Sequence, residues 1–275
     1  MNFGDLIAQC QLPRHELWPL LEAASGRARE SILAHPDHTV EESARLLFQR
    51  WVQQRQDGVP VAYLTGYREF YGRRFWVNRS TLIPRIETEL LIDMALSLVR
   101  ENPREAWAFC DVGTGCGSIA TTLALEIPTA AVTATDLSAH ALAVARNNAA
   151  WLGAADRIEF HEGAWWAPLV NSPKKFHGIL SNPPYIEFND PHLREGDLRY
   201  EPALALTGQG PKEIATLVMG APERLLPNGF LLVEHGYDQQ AMVKGLFESA
   251  GLIDIQAVAD SSHQPRAVLG FKSPE

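Results

Sequence analysis

The sequence predicts an α/β protein with a mostly parallel, doubly wound sheet, preceded by a small bundle of helices. Before residue 60, apolar residues recur only at helical spacing, whereas from Trp107 onward short apolar runs alternate with helical patterns. Such alternation is typical of parallel strands joined by right-handed helical crossovers. Near the end, two β-prone runs joined by a short polar loop predict an antiparallel edge on the sheet.

The helical part and the region after it have distinct signals. Thr39 and Glu42 have the spacing of a capping box, which predicts the start of a helix with a wide apolar stripe. Aromatic residues on both sides of Gly72 predict a hairpin. The chain is therefore expected to contain a helical domain over 1–67, a hairpin and linker over 68–86, and an α/β domain over 87–275.

The elements of the α/β domain follow from the period of the apolar residues. In order, we predict strand 106–112, helix 118–126, strand 131–136, helix 139–151, strand 157–161, strand 178–181, a long loop over 186–210, helix 212–225, strand 230–234, helix 239–250, and strands 253–259 and 267–271.

Composition excludes several classes of protein. The net charge of -9 argues against a general affinity for nucleic acid, because phosphate binding requires a surplus of Lys and Arg. No stretch approaches 18 uninterrupted apolar residues and the start lacks a leader pattern, so we expect a cytoplasmic protein without a membrane partner. Cys10, Cys110 and Cys116 are widely spaced, so neither a disulfide framework nor a metal site is expected.

A glycine-rich turn, Asp111 to Gly117, follows the first strand and opens a helix. Glycines allow a tight turn and a close ligand approach, and the helix start presents N–H groups to an anion. Ser118 stands where a dinucleotide fingerprint has its third glycine. Asp136 ends the second strand, where it can hydrogen-bond ribose hydroxyls. These features favour a ligand with an adenosine and a small charged tail.

Two residue types near this turn have alternative interpretations. Cys116 has no histidine nearby in sequence, so we interpret it as a small inert side chain and not as a nucleophile. Trp165 and Trp166 follow the third strand and have the character of core aromatics, although one of them can pack over an adenine.

The tetrapeptide Asn182-Pro183-Pro184-Tyr185 follows a short apolar strand, so it lies at the carboxyl end of that strand, where open α/β sheets place their chemistry. Asn182 supplies a side-chain carbonyl acceptor, and the prolines supply carbonyls without N–H donors. Tyr185 adds an aromatic face for stacking. The sequence therefore predicts a pocket for a planar NH2 group, although a pair of prolines after a strand is also common in simple turns.

Several segments together resemble the HemK/PrmC family of protein-(glutamine-N5) methyltransferases. They are Ala62 to Gly66, Glu69 to Gly72, Leu82 to Arg85 with Glu87 to Glu89, Ser181 to Ile186, and Glu201 to Leu204. The resemblance covers essentially the whole chain. It implies a class I S-adenosylmethionine-dependent methyltransferase fold with a seven-stranded sheet, and a monomer that methylates the Gly-Gly-Gln loop of class I peptide chain release factors, with the helical domain gripping the substrate.

The resemblance also implies roles for individual residues. Cofactor binding is implied for Gly113, Thr114, Gly115, Cys116 and Gly117, for Asp136 at the ribose, for Trp165 at the adenine, and for Asn182. Binding of the substrate glutamine amide is implied for Asn182, Pro183, Pro184 and Tyr185.

The chain departs from the family pattern in a few places, and other functions remain open. Ile86 replaces a proline, Gly178 replaces an aspartate, and the stretches 207–211 and 261–265 differ. The nearest alternative is a nucleic-acid amino-methyltransferase of the adenine-N6 type, because NPPY also serves flipped bases. A glutamine methyltransferase of a ribosomal protein and a non-catalytic scaffold are further alternatives; the intact glycine loop, Asp136 and Asn182 argue against the scaffold.

Overall fold

The computed structural model of the protein describes residues 1–194, 196–208, 211–260 and 262–275. The chain forms two compact units. The first comprises Met1–Tyr67 and Arg194–Tyr200, and the second comprises Arg68–Leu193 and Glu201–Glu275.

The first unit is helical, with a core that includes the fully buried Leu17, Leu20 and Phe48. Its helices are α1 (Phe3–Gln9), α2 (Arg14–Ser25), α3 (Arg29–Ala34), α4 (Glu42–Gln56) and α5 (Val61–Thr65).

The predicted capping box of Thr39 and Glu42 is wrong. Glu41 is the N-cap of α4 and makes no side-chain cap, while Thr39 forms a β-bridge with Asn2. The side chain of Asn2 instead caps α1 in a capping box with Asp5. Thr39 has the cap spacing but not the cap position, because the chain there is extended against the amino terminus.

Arg55 is the centre of a polar network in this unit. Its Nε and Nη2 donate to the Glu16 carboxylate at 3.0 and 2.8 Å, and its Nη1 donates to Asp197 at 2.6 Å. The Tyr200 hydroxyl donates to the Asp57 carbonyl at 2.8 Å. Segment 194–200 is therefore attached to the helical unit, although its chain neighbours on both sides belong to the other unit.

The rest of the chain alternates between strands and helices, after a hairpin of β1 (Tyr67–Phe70) and β2 (Arg73–Trp76). The further strands are β3 (Trp107–Val112), β4 (Ala130–Asp136), β5 (Ile158–Glu162), β6 (Phe176–Ser181), β7 (Ile186–Glu187), β8 (Thr207–Gly208), β9 (Leu225–Glu234), β10 (Ile253–Ala259) and β11 (Pro265–Phe271). The further helices are α6 (Glu89–Glu101), α7 (Ser118–Glu126), α8 (Ala139–Leu152), α9 (Ala203–Leu206), α10 (Pro211–Arg224) and α11 (Gln240–Ser249).

The main sheet has seven strands within the described ranges, in the order β10-β11-β9-β6-β3-β4-β5. β9, β6, β3, β4 and β5 are parallel, whereas β11 runs antiparallel to both β9 and β10. This confirms the predicted fold class, including the antiparallel edge. The chain leaves β3 in one direction to β4 and β5 and then returns to β6 on the other side, so the carboxyl ends of β3 and β6 flank a topological switch point, where such sheets bind ligands.

Gly178, one of the departures from the family pattern, has a steric explanation. A Cβ at this position would lie 2.5 Å from Cζ of Phe230 and 2.8 Å from Cδ1 of Phe109. The two rings pack edge to face with centroids 6.3 Å apart, and both side chains are buried. The aromatic pair occupies the space that a side chain on residue 178 would need.

The stretch 186–210 was expected to be a long loop, but β7, β8, α9 and two 3-10 turns lie within it. The strands β7 and β8 pair in parallel, with Ile186 opposite Thr207. Gln209, Gly210 and Ser261, which belong to the stretches that depart from the family pattern, lie outside the described residues. In the described part of the chain, every helix is too short or too polar to cross a membrane.

Candidate active site

The glycine turn after β3 adopts a conformation that favours glycine. Gly113 and Gly115 have φ angles of 78° and 58°, in the left-handed region. The backbone N–H groups of Gly113 and Thr114 both donate to the Thr135 carbonyl, at 2.8 and 2.9 Å. A Cβ on either glycine would meet no atom within 4 Å. The turn is therefore fixed on the side of β4 and open on the other.

Asp111 ties this turn to the start of α7. Its Oδ2 accepts hydrogen bonds from the Thr114 hydroxyl at 2.6 Å and from the Ala120 N–H at 3.0 Å. The side chain is completely buried, and burial raises the pKa of Asp111 to about 7. Asp111 thus fixes the conformation of the turn from its buried side.

Asp136 stands at the end of β4, beside the turn. Its Oδ2 accepts the Gly115 N–H and its Oδ1 accepts the Ser138 N–H, both at 2.8 Å. Burial raises the pKa of this carboxyl, and the two N–H donors oppose that shift. An ionised carboxylate offers about four acceptor positions, so two remain for the hydroxyls of a ligand.

A cavity of about 380 Å³ opens above the turn. The predicted site residues that line it are Gly113, Thr114, Gly115, Cys116, Asp136, Trp165, Asn182 and Pro184. These residues come from the ends of β3, β4 and β6 and from the loop after β5, so the sheet topology brings them together.

The remaining predicted site residues do not line the cavity. A Cβ on Gly117 would lie 3.0 Å from Cβ of Ala145, so this glycine permits α7 and α8 to approach closely. Pro183 is buried. Tyr185 packs against the apolar core, and its carbonyl accepts a hydrogen bond from Nε2 of Gln239 at 2.9 Å.

Cys116 lines the cavity but is 3% exposed. Burial raises the pKa of its thiol to about 12, so the thiolate that a nucleophile requires is scarce at neutral pH. The residue therefore contributes a small, inert side chain to the turn.

Asn182 is held by a short hydrogen-bonded chain. Its Nδ2 donates to the Thr88 hydroxyl at 3.0 Å, and that hydroxyl donates to Oε2 of Glu234 at 2.7 Å. Parallel pairing of β6 with β9, with Ser181 opposite Val233, places Asn182 and Glu234 at the same level of the sheet. Thr88 and Asn182 both line the cavity.

Other parts of the cavity wall were missed as individual site residues. They are Ser80, Thr81, Leu82, Pro84, Arg85 and Thr88 before α6, Pro202, Leu204 and Ala205 around α9, and Glu213 on α10. The charged stretch beside Pro84 and the Glu201 to Leu204 segment were sequence signals for the first two groups. No local signal marks Glu213, which accepts a hydrogen bond from Nε1 of Trp165 at 3.0 Å and thereby fixes that ring.

The cavity fits an adenosine with a charged tail. Asp136 has free acceptor positions, Trp165 supplies an aromatic wall, and the glycine turn leaves open space at the start of α7. A sheet of this order with such a turn at its switch point defines a class I S-adenosylmethionine-dependent methyltransferase.

Comparisons with known proteins identify the family. Residues 5–66 match the PrmC N-terminal domain and residues 88–194 match the methyltransferase small domain. The chain is 44% identical over 272 residues to the release factor glutamine methyltransferase of Neisseria gonorrhoeae, which covers 98% of this chain and 97% of that protein. The corresponding protein of Bordetella pertussis is 43% identical over 269 residues, covering 97% and 98%. The chain belongs to the release factor glutamine methyltransferase family, which confirms the resemblance seen in the sequence.

A solved structure supports the fold independently. The crystal structure of a methyltransferase from Pyrococcus furiosus superposes with a TM-score of 0.52 at 14% identity, covering 82% of this chain and 99% of that one. At this identity the likeness concerns the fold alone.

Proposed function

We propose that this protein transfers the methyl group of S-adenosylmethionine to the side-chain amide nitrogen (N5) of the glutamine in the Gly-Gly-Gln loop of class I peptide chain release factors. The observation that supports this most is the orientation of Asn182. Its NH2 group is engaged by Thr88, so its side-chain oxygen is available to accept an N–H from a planar amide in the cavity. The names of the relatives, which match over nearly their whole length, agree with this chemistry.

The residues that line the cavity near α7 would hold the cofactor. The backbone of the turn from Gly113 to Cys116 would lie against it, Asp136 would accept hydrogen bonds from its ribose hydroxyls, and the Trp165 ring would flank its adenine. S-adenosylmethionine, when bound, supplies an electrophilic methyl group on a sulfonium centre.

Asn182 and Pro183 orient the substrate. The Asn182 side-chain oxygen accepts one N–H of the glutamine amide. The second acceptor in this proposal is the backbone carbonyl of Pro183, whose side chain is buried but whose neighbours Asn182 and Pro184 both line the cavity. Two acceptors fix the direction of the amide nitrogen. Fixing geometry in this way lowers the barriers of well-oriented reactions by roughly 7 to 11 kcal/mol. Both acceptors also bind more strongly as positive charge develops on the nitrogen, so they stabilise the transition state more than the ground state.

The other residues of the tetrapeptide keep it in place. Pro184 contributes to the cavity wall. Tyr185 anchors the backbone, because its side chain packs against the core and its carbonyl accepts a hydrogen bond from Gln239. The helical domain, residues 1–67, serves as the recognition domain for the release factor. As part of the same proposal, the protein acts as a monomer in the cytoplasm, where release factors work.

The alternatives differ in substrate. A nucleobase amino group could reach the same acceptors, but a net charge of -9 disfavours nucleic acid as a partner. A glutamine in a ribosomal protein has the same chemistry as the proposed substrate, but the relatives that match nearly the whole chain are named release factor glutamine methyltransferases.

The test is incubation with methyl-labelled S-adenosylmethionine and four substrates in parallel: a purified release factor, the same factor with its Gly-Gly-Gln glutamine changed to alanine, total RNA, and ribosomal protein. Mass mapping locates the label. We expect label on the glutamine of the intact factor and none on the alanine variant. Label on nucleic acid or ribosomal protein, with none on the release factor, would overturn the proposal.

A further inference from the structure

The Asn182 amide has an oxygen at one end and an NH2 group at the other, and only the oxygen suits a glutamine NH2 group. The oxygen accepts hydrogen bonds, whereas the NH2 group donates them and would repel another NH2 group. The orientation of Asn182 therefore decides whether the substrate amide is held. That orientation is not set by Asn182 itself, since its amide can rotate by half a turn with little change in shape.

We propose that Thr88 and Glu234 are positioning residues for Asn182, because the Glu234 carboxylate orients the Thr88 hydroxyl so that it accepts from the Asn182 NH2 group and leaves the Asn182 oxygen facing the substrate. This inference rests on the proposed function, in which Asn182 binds the glutamine amide.

The hydrogen-bonding capacities of the three groups support this direction. An ionised carboxylate is an acceptor only, so the proton on the Thr88 hydroxyl must point at Glu234, 2.7 Å away. The hydroxyl then has lone pairs, but no proton, to offer to Asn182 at 3.0 Å. Thr88 is 3% exposed and Glu234 is 2% exposed, so water competes little with these bonds.

The same chain strengthens the Asn182 oxygen as an acceptor. When an amide donates through its N–H groups to a negatively charged network, its electrons shift toward the oxygen, and hydrogen bonds in series polarise one another. The effect grows with the charge on Glu234. Thr88 and Glu234 therefore contribute to turnover through Asn182 without touching the substrate amide themselves.

The arrangement responds to pH because a protonated Glu234 becomes a donor. The Thr88 hydroxyl is then free to donate to Asn182, which favours the rotated amide with its NH2 group toward the substrate. The charged and titratable groups that face Glu234 are Arg85 and Glu87 before α6, Tyr185 after β6, and Arg266 on β11. Burial outweighs the hydrogen bond from Thr88 and the charges of the two arginines, and it raises the pKa of Glu234 to about 7, so the change falls within the physiological range.

The experiment measures methyl transfer to a purified release factor by wild-type protein and by Thr88→Val, Thr88→Ser and Glu234→Gln, from pH 5.5 to 9. Thr88→Val keeps the shape but lacks the hydroxyl, and we expect its kcat to fall about tenfold, the value of one lost hydrogen bond. The KM for the release factor and the Kd for S-adenosylmethionine, measured by calorimetry, should change by less than about threefold. Thr88→Ser should restore most of kcat.

The pH profile separates positioning from a structural role. The kcat of wild-type protein should rise with pH through a midpoint near 7, and Glu234→Gln should lose this limb because an amide does not titrate in this range. Thr122→Val is the matched control: Thr122 is also completely buried on α7, its hydroxyl has no partner within the described ranges, and it does not line the cavity. It should leave kcat unchanged.

The outcomes distinguish the two proposals. Wild-type protein that does not methylate the release factor contradicts the proposed function. If the wild-type protein is active, a kcat of Thr88→Val within about twofold of the wild-type value contradicts the positioning role alone. A kcat of Glu234→Gln that still falls toward acidic pH contradicts it as well. A Thr88→Ser variant as slow as Thr88→Val also contradicts it, since the hydroxyl would then not be the group that matters.

Discussion

The Glu201 carboxylate accepts a hydrogen bond from the Ile83 backbone N–H at 2.9 Å and pairs with the Arg85 guanidinium through its other oxygen. The Glu201 side chain is completely buried, whereas Arg85 keeps 30% of its side chain exposed. Since Leu82, Pro84 and Arg85 line one wall of the cavity and Pro202 lines another, this single carboxylate joins the two walls.

Removing the Glu201 carboxylate should destabilise the protein. Glu201→Ala leaves the buried Ile83 N–H without this acceptor, and we expect the free energy of unfolding to fall by about 2 kcal/mol. Glu201→Gln loses the charge but retains an acceptor for the Ile83 N–H, so its free energy of unfolding should fall by less than that of Glu201→Ala. Urea denaturation measures both. Equal stability of Glu201→Ala and wild-type protein would show that the carboxylate does not join the two walls.

Gly178 should tolerate no side chain while the rings of Phe109 and Phe230 remain in place. We expect Gly178→Ala to lower the free energy of unfolding by about 2 kcal/mol, because the added methyl group overpacks the core. Phe230→Leu alone should also lower the free energy of unfolding. The variant with both substitutions should lose less than the sum of the two single losses, because the smaller side chain at residue 230 leaves room for the added methyl group. A double-mutant cycle by chemical denaturation measures this coupling, and additive losses would contradict the steric explanation.

Asp136 should govern cofactor affinity. Asp136→Ala removes an acceptor for ribose hydroxyls and also frees the Gly115 N–H that shapes the turn. We expect the Kd for S-adenosylmethionine to rise at least about tenfold, since hydrogen bonds to a charged group are worth about 1.5 to 3 kcal/mol. Calorimetry provides the measurement. The exposed Asp156, which lies outside the cavity wall, offers the matched control, and a similar loss in Asp156→Ala would point to net charge instead.

Two buried acids should make the protein less stable as pH rises. Burial raises the pKa of both Asp111 and Glu234 to about 7, so each binds its proton more tightly in the folded than in the unfolded chain. Their stabilising effect is complete below the unfolded pKa values near 4 and is lost as pH rises through about 7, at about 1.4 kcal/mol per pH unit for each group. In urea denaturation between pH 5 and 7, Glu234→Gln should show a smaller decline than wild-type protein. Parallel curves would contradict this.

Much of the fold follows from local patterns. β3, β4 and β6 are short apolar runs that end at the glycine turn, at Asp136 and at Asn182, and their periodicity is visible without tertiary information. The start of β9 is not visible in this way. Pro227 and Gly229 separate Leu225 from the apolar run that starts at Phe230. Leu225 nevertheless pairs with Phe176, ahead of a register shift, so the strand begins before its apolar run.

The site was partly visible for the same reason. The glycine turn, Asp136 and Asn182 belong to short motifs whose chemistry can be argued from neighbouring residues. Thr88 could not be assigned to Asn182, because the two are 94 positions apart and Thr88 is 146 positions from Glu234. Those contacts depend on the strand order and register of the sheet, which no local pattern specifies.

Removal of the Asn182 side chain should abolish most methyl transfer, because its oxygen holds the glutamine amide. Asn182→Ala and wild-type protein are compared in single-turnover methyl transfer to a release factor, with cofactor affinity measured on the same samples. We expect the rate of Asn182→Ala to fall at least about 100-fold, while S-adenosylmethionine still binds measurably. A rate near that of wild-type protein would contradict it.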